Sequence, residues 1–99
     1  MKITIQNKEY KVRNTIRAMF VFEKIANKPF KIETLLDWYI FYYSMLLANN
    51  ADCTLLFDEF INECDNDPSL TMQIQDYLTS QMAVSNQLAK EATEDEKKK

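Results

Sequence analysis

The chain has 99 residues, enough for one domain with a modest core, and 46% of it is hydrophobic and 12% aromatic. It contains no Gly and no His, which excludes glycine-dependent phosphate loops and nucleophile elbows, together with the usual general base near neutral pH. The formal net charge of -3 conceals a segregation: residues 1–31 carry a net +6, residues 32–89 a net -9 without a single Lys or Arg, and residues 90–99 cancel.

Residues 2–5 and 9–13 read as a β-hairpin. Ile3 and Ile5 alternate with Lys2 and Thr4, Tyr10 and Val12 alternate with Lys11 and Arg13, and the turn is expected at Asn7-Lys8. A lone hairpin is marginal in water, so it must pack on helices or pair with strands of another copy. Asn14 or Thr15 then caps a first helix over roughly 15–27, with Ile16, Met19, Phe20, Ile25 and Ala26 as its expected apolar stripe. Asn27 and Pro29 end it.

A second helix is expected from about Thr34 to Ala48, in which only Asp37 and Ser44 are plainly polar. A helix that is apolar all round must be covered all round. In so small a chain, part of that cover is expected to come from another subunit or a partner. The alternative is a central core helix whose Tyr hydroxyls reach solvent. Trp38, Tyr39, Tyr42 and Tyr43 are therefore the candidate partner-binding aromatics. The longest near-apolar stretch, Trp38 to Ala48, falls short of the about 20 residues a membrane span needs, so no membrane partner is expected. A signal-peptide apolar region is not visible either.

A third helix near 55–65 turns Phe57, Phe60, Ile61 and Cys64 inward and Asp58, Glu59, Asn62 and Glu63 outward. Asp67 and Pro68 then read as the cap and first residue of a fourth helix with the stripe Leu70, Ile74, Tyr77 and Leu78. Residues 80–92 are expected to be a loosely docked extension, and 91–99 a charged, flexible tail. The expected fold is thus α+β and mainly α: an N-terminal hairpin and about four helices, in one domain over residues 1–90.

The chemistry of catalysis is not expected here. Asp58, Glu59 and Glu63 lie close together on the polar side of an amphipathic helix, where carboxylates are solvated rather than raised in pKa. Residues 65–76 imitate a calcium loop, but Leu70 stands where the sharp turn needs Gly. Cys53 and Cys64 are too few for a disulfide framework or a zinc site, and read as buried apolar side chains in a reducing cytosol. No cofactor is implied. The acidic middle argues against nucleic-acid binding, since phosphates call for Lys and Arg. The charge segregation has two readings: the basic N-terminal part folds against the acidic part, or an acidic surface bearing Asp58, Glu59 and Glu63 meets a basic partner.

The order of segments and their wording resemble the tail assembly chaperones of long-tailed bacteriophages. ITIQNKEYKV (3–12) resembles the opening hairpin of that family, TIRAMFVFEKIANKPF (15–30) its first helix, LLDWYIFYYSMLLANN (35–50) its aromatic second helix, and FDEFINECDNDPSL (57–70) its third helix and acidic loop. The resemblance implies a protein that binds the tape-measure protein, keeps it soluble while tail-tube subunits assemble around it, and is absent from the finished virion. It also implies that a longer form can arise by frameshifting near the terminal Lys97-Lys98-Lys99. The alternative is an acidic phage-encoded inhibitor that imitates nucleic acid and binds a host DNA-binding protein.

Overall fold

A computed structural model of the chain describes residues 1–81. Strands β1 (Lys2–Ile5) and β2 (Lys8–Lys11) form an antiparallel hairpin that sets Ile3 opposite Tyr10 and Ile5 opposite Lys8. Its ladder is extended by Val12 N–H, which donates to the Met1 carbonyl at 2.8 Å. Alternation sends Ile3, Ile5, Tyr10 and Val12 into the core. The turn lies one residue earlier than the sequence suggests: Gln6 (φ 53°) and Asn7 (φ 65°) are its central pair. Two left-handed residues in a two-residue connection match the right-handed twist of the strands. Asn suits that conformation; Gln is uncommon in it.

Helix α1 (Ile16–Ala26) begins at Thr15, whose Oγ1 accepts from Ala18 N–H at 3.1 Å, and ends on the left-handed Asn27. The face it buries differs from the expected stripe. Ala18 and Phe22 are fully enclosed, with Met19 and Ala26 half-buried beside them, while Ile16, Phe20 and Ile25 are exposed. Phe22 fills the space between α1 and the neighbouring helix, where its ring meets Phe41 at 6.5 Å.

That neighbour is α2 (Leu35–Asn49), opened by a reciprocal cap. Thr34 Oγ1 accepts from Asp37 N–H at 3.1 Å, and Asp37 Oδ2 accepts from Thr34 N–H at 3.2 Å. Every residue from 40 to 46 is buried. Ser44, the one polar side chain in that run, donates back to the Ile40 carbonyl at 2.6 Å. The cover comes from within the chain, from α1, β2 and α3 (Phe57–Asn66), and from α4, which occupies residues 68–81. The expectation that another subunit must share this cover is therefore overturned for residues 40–46; α2 is a central core helix.

In α3, Phe60 and Cys64 are buried, and Phe57 and Ile61 are partly so. Asp67 Oδ1 accepts from Ser69 N–H at 3.1 Å, and α4 turns Leu70, Ile74 and Leu78 inward. Among the described residues the chain is a hairpin followed by four helices, α+β and mainly α. The extension expected at 80–92 and the tail at 91–99 lie, from residue 82 onward, outside the described residues.

Candidate partner-docking site

The connection between α1 and α2 is short and pinned at both ends. Glu23 Oε2 accepts from Phe30 N–H at 2.7 Å. Asp37 Oδ2 gathers the Lys28 ammonium at 2.6 Å and Glu33 N–H at 2.9 Å. The ammonium of Lys28, then the Glu33 amide, holds the Asp37 carboxyl below its ordinary range. Pinning the connection fixes Phe30, whose ring meets Phe22 edge-on at 5.1 Å and Phe41 at 5.2 Å.

Beside Phe30 an open groove of about 350 Å³ runs between α1, the connection, α2 and α4, lined by Met19, Phe30, Ile32, Trp38, Phe41 and Leu78, with Asn14 at its edge. A second hollow of about 290 Å³, bounded by Trp38, Tyr42, Gln75, Leu78 and Thr79, shares Trp38 and Leu78 with it. The two form a continuous strip around Trp38. Leu35 and Leu36 stand 71% and 59% exposed in the first turn of the same helix.

Of the aromatics that the sequence singles out, Trp38 and Tyr39 are half-buried and reach the surface, the Tyr39 hydroxyl lying 3.3 Å from Thr71 Oγ1. Tyr42 and Tyr43 are corrected to core residues, at 1% and 7% exposure. The reason is the central position of α2. Tyr39 packs edge-on against Tyr42 at 5.3 Å, and Phe57 and Phe60 close on Tyr43 at 5.5 and 5.9 Å. The Tyr43 hydroxyl is satisfied internally by the Leu55 carbonyl, and burial raises the pKa of both phenols.

Among the acids, Asp58 is exposed. Glu59 caps α3 by accepting from Leu56 N–H at 2.9 Å, and Glu63 accepts from Gln6 Nε2 at 3.2 Å, tying the hairpin turn to α3. The basic and acidic parts of the chain do meet: Lys8 pairs with Asp52 at 3.3 Å and Lys28 with Asp37. Asp58, Asp65, Asp67 and Asp76 make no ion pair among the described residues. The segment resembling a calcium loop is the end of α3, the Asp67 cap and the start of α4.

Sequence reasoning missed Phe30, Ile32 and Leu78 as groove residues. The signal was Lys28-Pro29-Phe30-Lys31-Ile32, which places two large apolar side chains in a short connection, where only packing explains them. No family model, curated protein or solved structure matches this chain.

Proposed function

We propose that this chain is a tail assembly chaperone of a long-tailed phage or prophage. In this reading it binds the tape-measure protein, keeps it soluble and helps to recruit tail-tube subunits in the host cytoplasm, and it leaves before the virion is complete. The observation that carries the reading is the strip around Trp38. The core closes on itself, yet Trp38, Met19, Ile32 and Leu78 line an open apolar groove, and Leu35 and Leu36 stay in solvent. An adaptable apolar surface containing Met and aromatic side chains suits a long, aggregation-prone helical client. The net negative charge of residues 32–89 supplies solubility. The reading rests also on the resemblance of residues 3–70 to that family.

The test is co-expression of the tagged chain with a tape-measure protein and tail-tube protein, followed by pull-down and a solubility assay. The wild type should recover both and hold the tape measure in the soluble fraction. Trp38→Ser together with Leu36→Ser should lose the client while the circular dichroism spectrum is kept. Recovery of a basic host DNA-binding protein alone would move the acidic mimic to first place. Presence of the chain in purified virions would mark a structural tail component instead.

A further inference from the structure

The outward face of the hairpin carries a charge arrangement that its own stability does not call for. Lys2 and Lys11 are direct cross-strand partners, and both are exposed. Like charges set opposite each other on one face of a sheet repel, at a cost to the fold. Arg13 falls on the same side by alternation, being exposed two residues beyond Lys11 with the buried Val12 between them. One acid lies beside the three cations: Glu9, 3.2 Å from Lys2 in a pair whose side chains are both 62% exposed. Lys11 and Arg13 form no ion pair among the described residues. The contacts between the basic and acidic parts of the chain use Lys8 and Lys28 instead.

Lys2, Lys11 and Arg13 border an open hollow of about 490 Å³, walled otherwise by Met1, Val12 and Asn49. The backbone under the cations is held in place. Met1 N donates to the Val12 carbonyl at 3.0 Å, and Val12 N–H donates to the Met1 carbonyl at 2.8 Å. The Asn50 side chain bonds both Lys11 N–H and the Lys11 carbonyl, and Asn49 Nδ2 donates to the Arg13 carbonyl at 2.9 Å. The hollow shares no lining residue with the groove around Trp38.

We propose that this hollow docks an acidic peptide segment of a partner protein. Its carboxylates lie between Lys2 and Lys11, where they cancel the repulsion of that pair, and reach Arg13, whose guanidinium takes a carboxylate through two parallel N–H donors. Nucleic acid fits the hollow less well. None of its lining side chains is aromatic, so bases find no stacking platform, and the net -9 of residues 32–89 repels a long phosphate backbone. This site stands whatever occupies the groove around Trp38.

The experiment is fluorescence anisotropy of a dye-labelled peptide of alternating Glu and Ser, titrated with the full chain. Binding should saturate, weaken several-fold as salt is raised from about 0.05 to about 0.2 M, and vanish for the same peptide with Gln in place of Glu. Lys11→Glu with Arg13→Glu should weaken it roughly tenfold or more through like-charge contact. Lys8→Gln, outside the hollow, should bind as the wild type does. Lys11→Thr should weaken binding yet raise the melting temperature, because the repulsion with Lys2 is gone; a residue needed only for folding would lower it. The proposal is overturned by a wild type without saturable, salt-sensitive binding, by a charge-reversed variant that binds equally well, or by a fall in the melting temperature of Lys11→Thr. Tighter binding of a labelled single-stranded oligonucleotide of equal charge also overturns it and marks a nucleic-acid site.

Discussion

Asn50 holds Lys11 as a neighbouring strand would. Lys11 N–H donates to Asn50 Oδ1 at 2.9 Å, and Asn50 Nδ2 donates to the Lys11 carbonyl at 2.9 Å. The same Nδ2 reaches the Leu46 carbonyl at 2.8 Å, in the last turn of α2. Asn49 repeats the device, donating to the Arg13 and Met45 carbonyls at 2.9 and 2.7 Å. Two consecutive amides thus satisfy orphan carbonyls at the end of a helix and close the edge of a sheet.

Asn50→Ala should therefore destabilise the protein by about 1–2 kcal/mol in urea titration, the net value of one or two hydrogen bonds at a partly solvated site. Amide exchange at Lys11 should accelerate more than at Tyr10, which is paired to β1. Equal acceleration at both residues would mean that the hairpin opens as a unit and that Asn50 does not act as a local clasp.

Asp37 makes stability depend on pH in the acid range. Its carboxyl, held chiefly by Lys28, has a folded-state pKa below the ordinary 3.8. The contribution is therefore complete above about pH 5 and is lost as pH falls through the lowered folded value. Asp37→Asn should flatten the acid limb of a plot of urea midpoint against pH, and Lys28→Met should do so in part. Acid limbs parallel to the wild type in both variants would show that other carboxyls govern acid unfolding.

The alkaline limb has the opposite origin. Burial raises Tyr10, Tyr42 and Tyr43 above 10.0 and the Cys64 thiol above 9.0. A folded state that holds its protons longer than the unfolded chain is at full stability below those ordinary values and loses stability as pH climbs through the raised ones. Tyr42→Phe should make the loss above about pH 10 shallower, measured by fluorescence-monitored urea unfolding at stepped pH. An unchanged slope would assign the alkaline loss to the other phenols or to the thiol.

The hairpin turn offers a stabilising substitution. Asn7 sits at φ 65°, which Gly adopts freely, so Asn7→Gly should raise stability by roughly 0.5 kcal/mol. Asn7→Val, with a branched side chain in the same conformation, should lower it by more than about 1 kcal/mol. Thermal melts of the two variants should bracket the wild type.

The caps were readable because their chemistry is local: Thr15, and Asp67 with Pro68, announce helix starts through side chains that satisfy backbone amides within a few residues. The alternation of Ile3, Ile5, Tyr10 and Val12 was equally plain. The buried face of α1 was not. Its apolar residues lie on both sides of the helix, and the spacing Ala18, Phe22, Ala26 competes with Ile16, Phe20 in a periodicity count. The choice is made by Phe41 of α2 and Phe30 of the connection, which meet Phe22 at 6.5 and 5.1 Å. For the same reason α2 was legible as an apolar helix, while its place at the centre was only one of two readings that the sequence left open. Which elements lie over Tyr42 and Tyr43 is a property of the assembled fold, and half of the aromatic site expected from sequence became core on that account.

The enclosure of residues 40–46 on every side also has a kinetic meaning. No neighbouring element can leave α2 without uncovering part of this run, and no solvent-facing turn exists there from which the helix can fray. Amide exchange through these residues should proceed only by global unfolding, so their slowest rates report the stability of the whole fold. Exchange in α1, whose outward face stays in water, measures a smaller and separate opening.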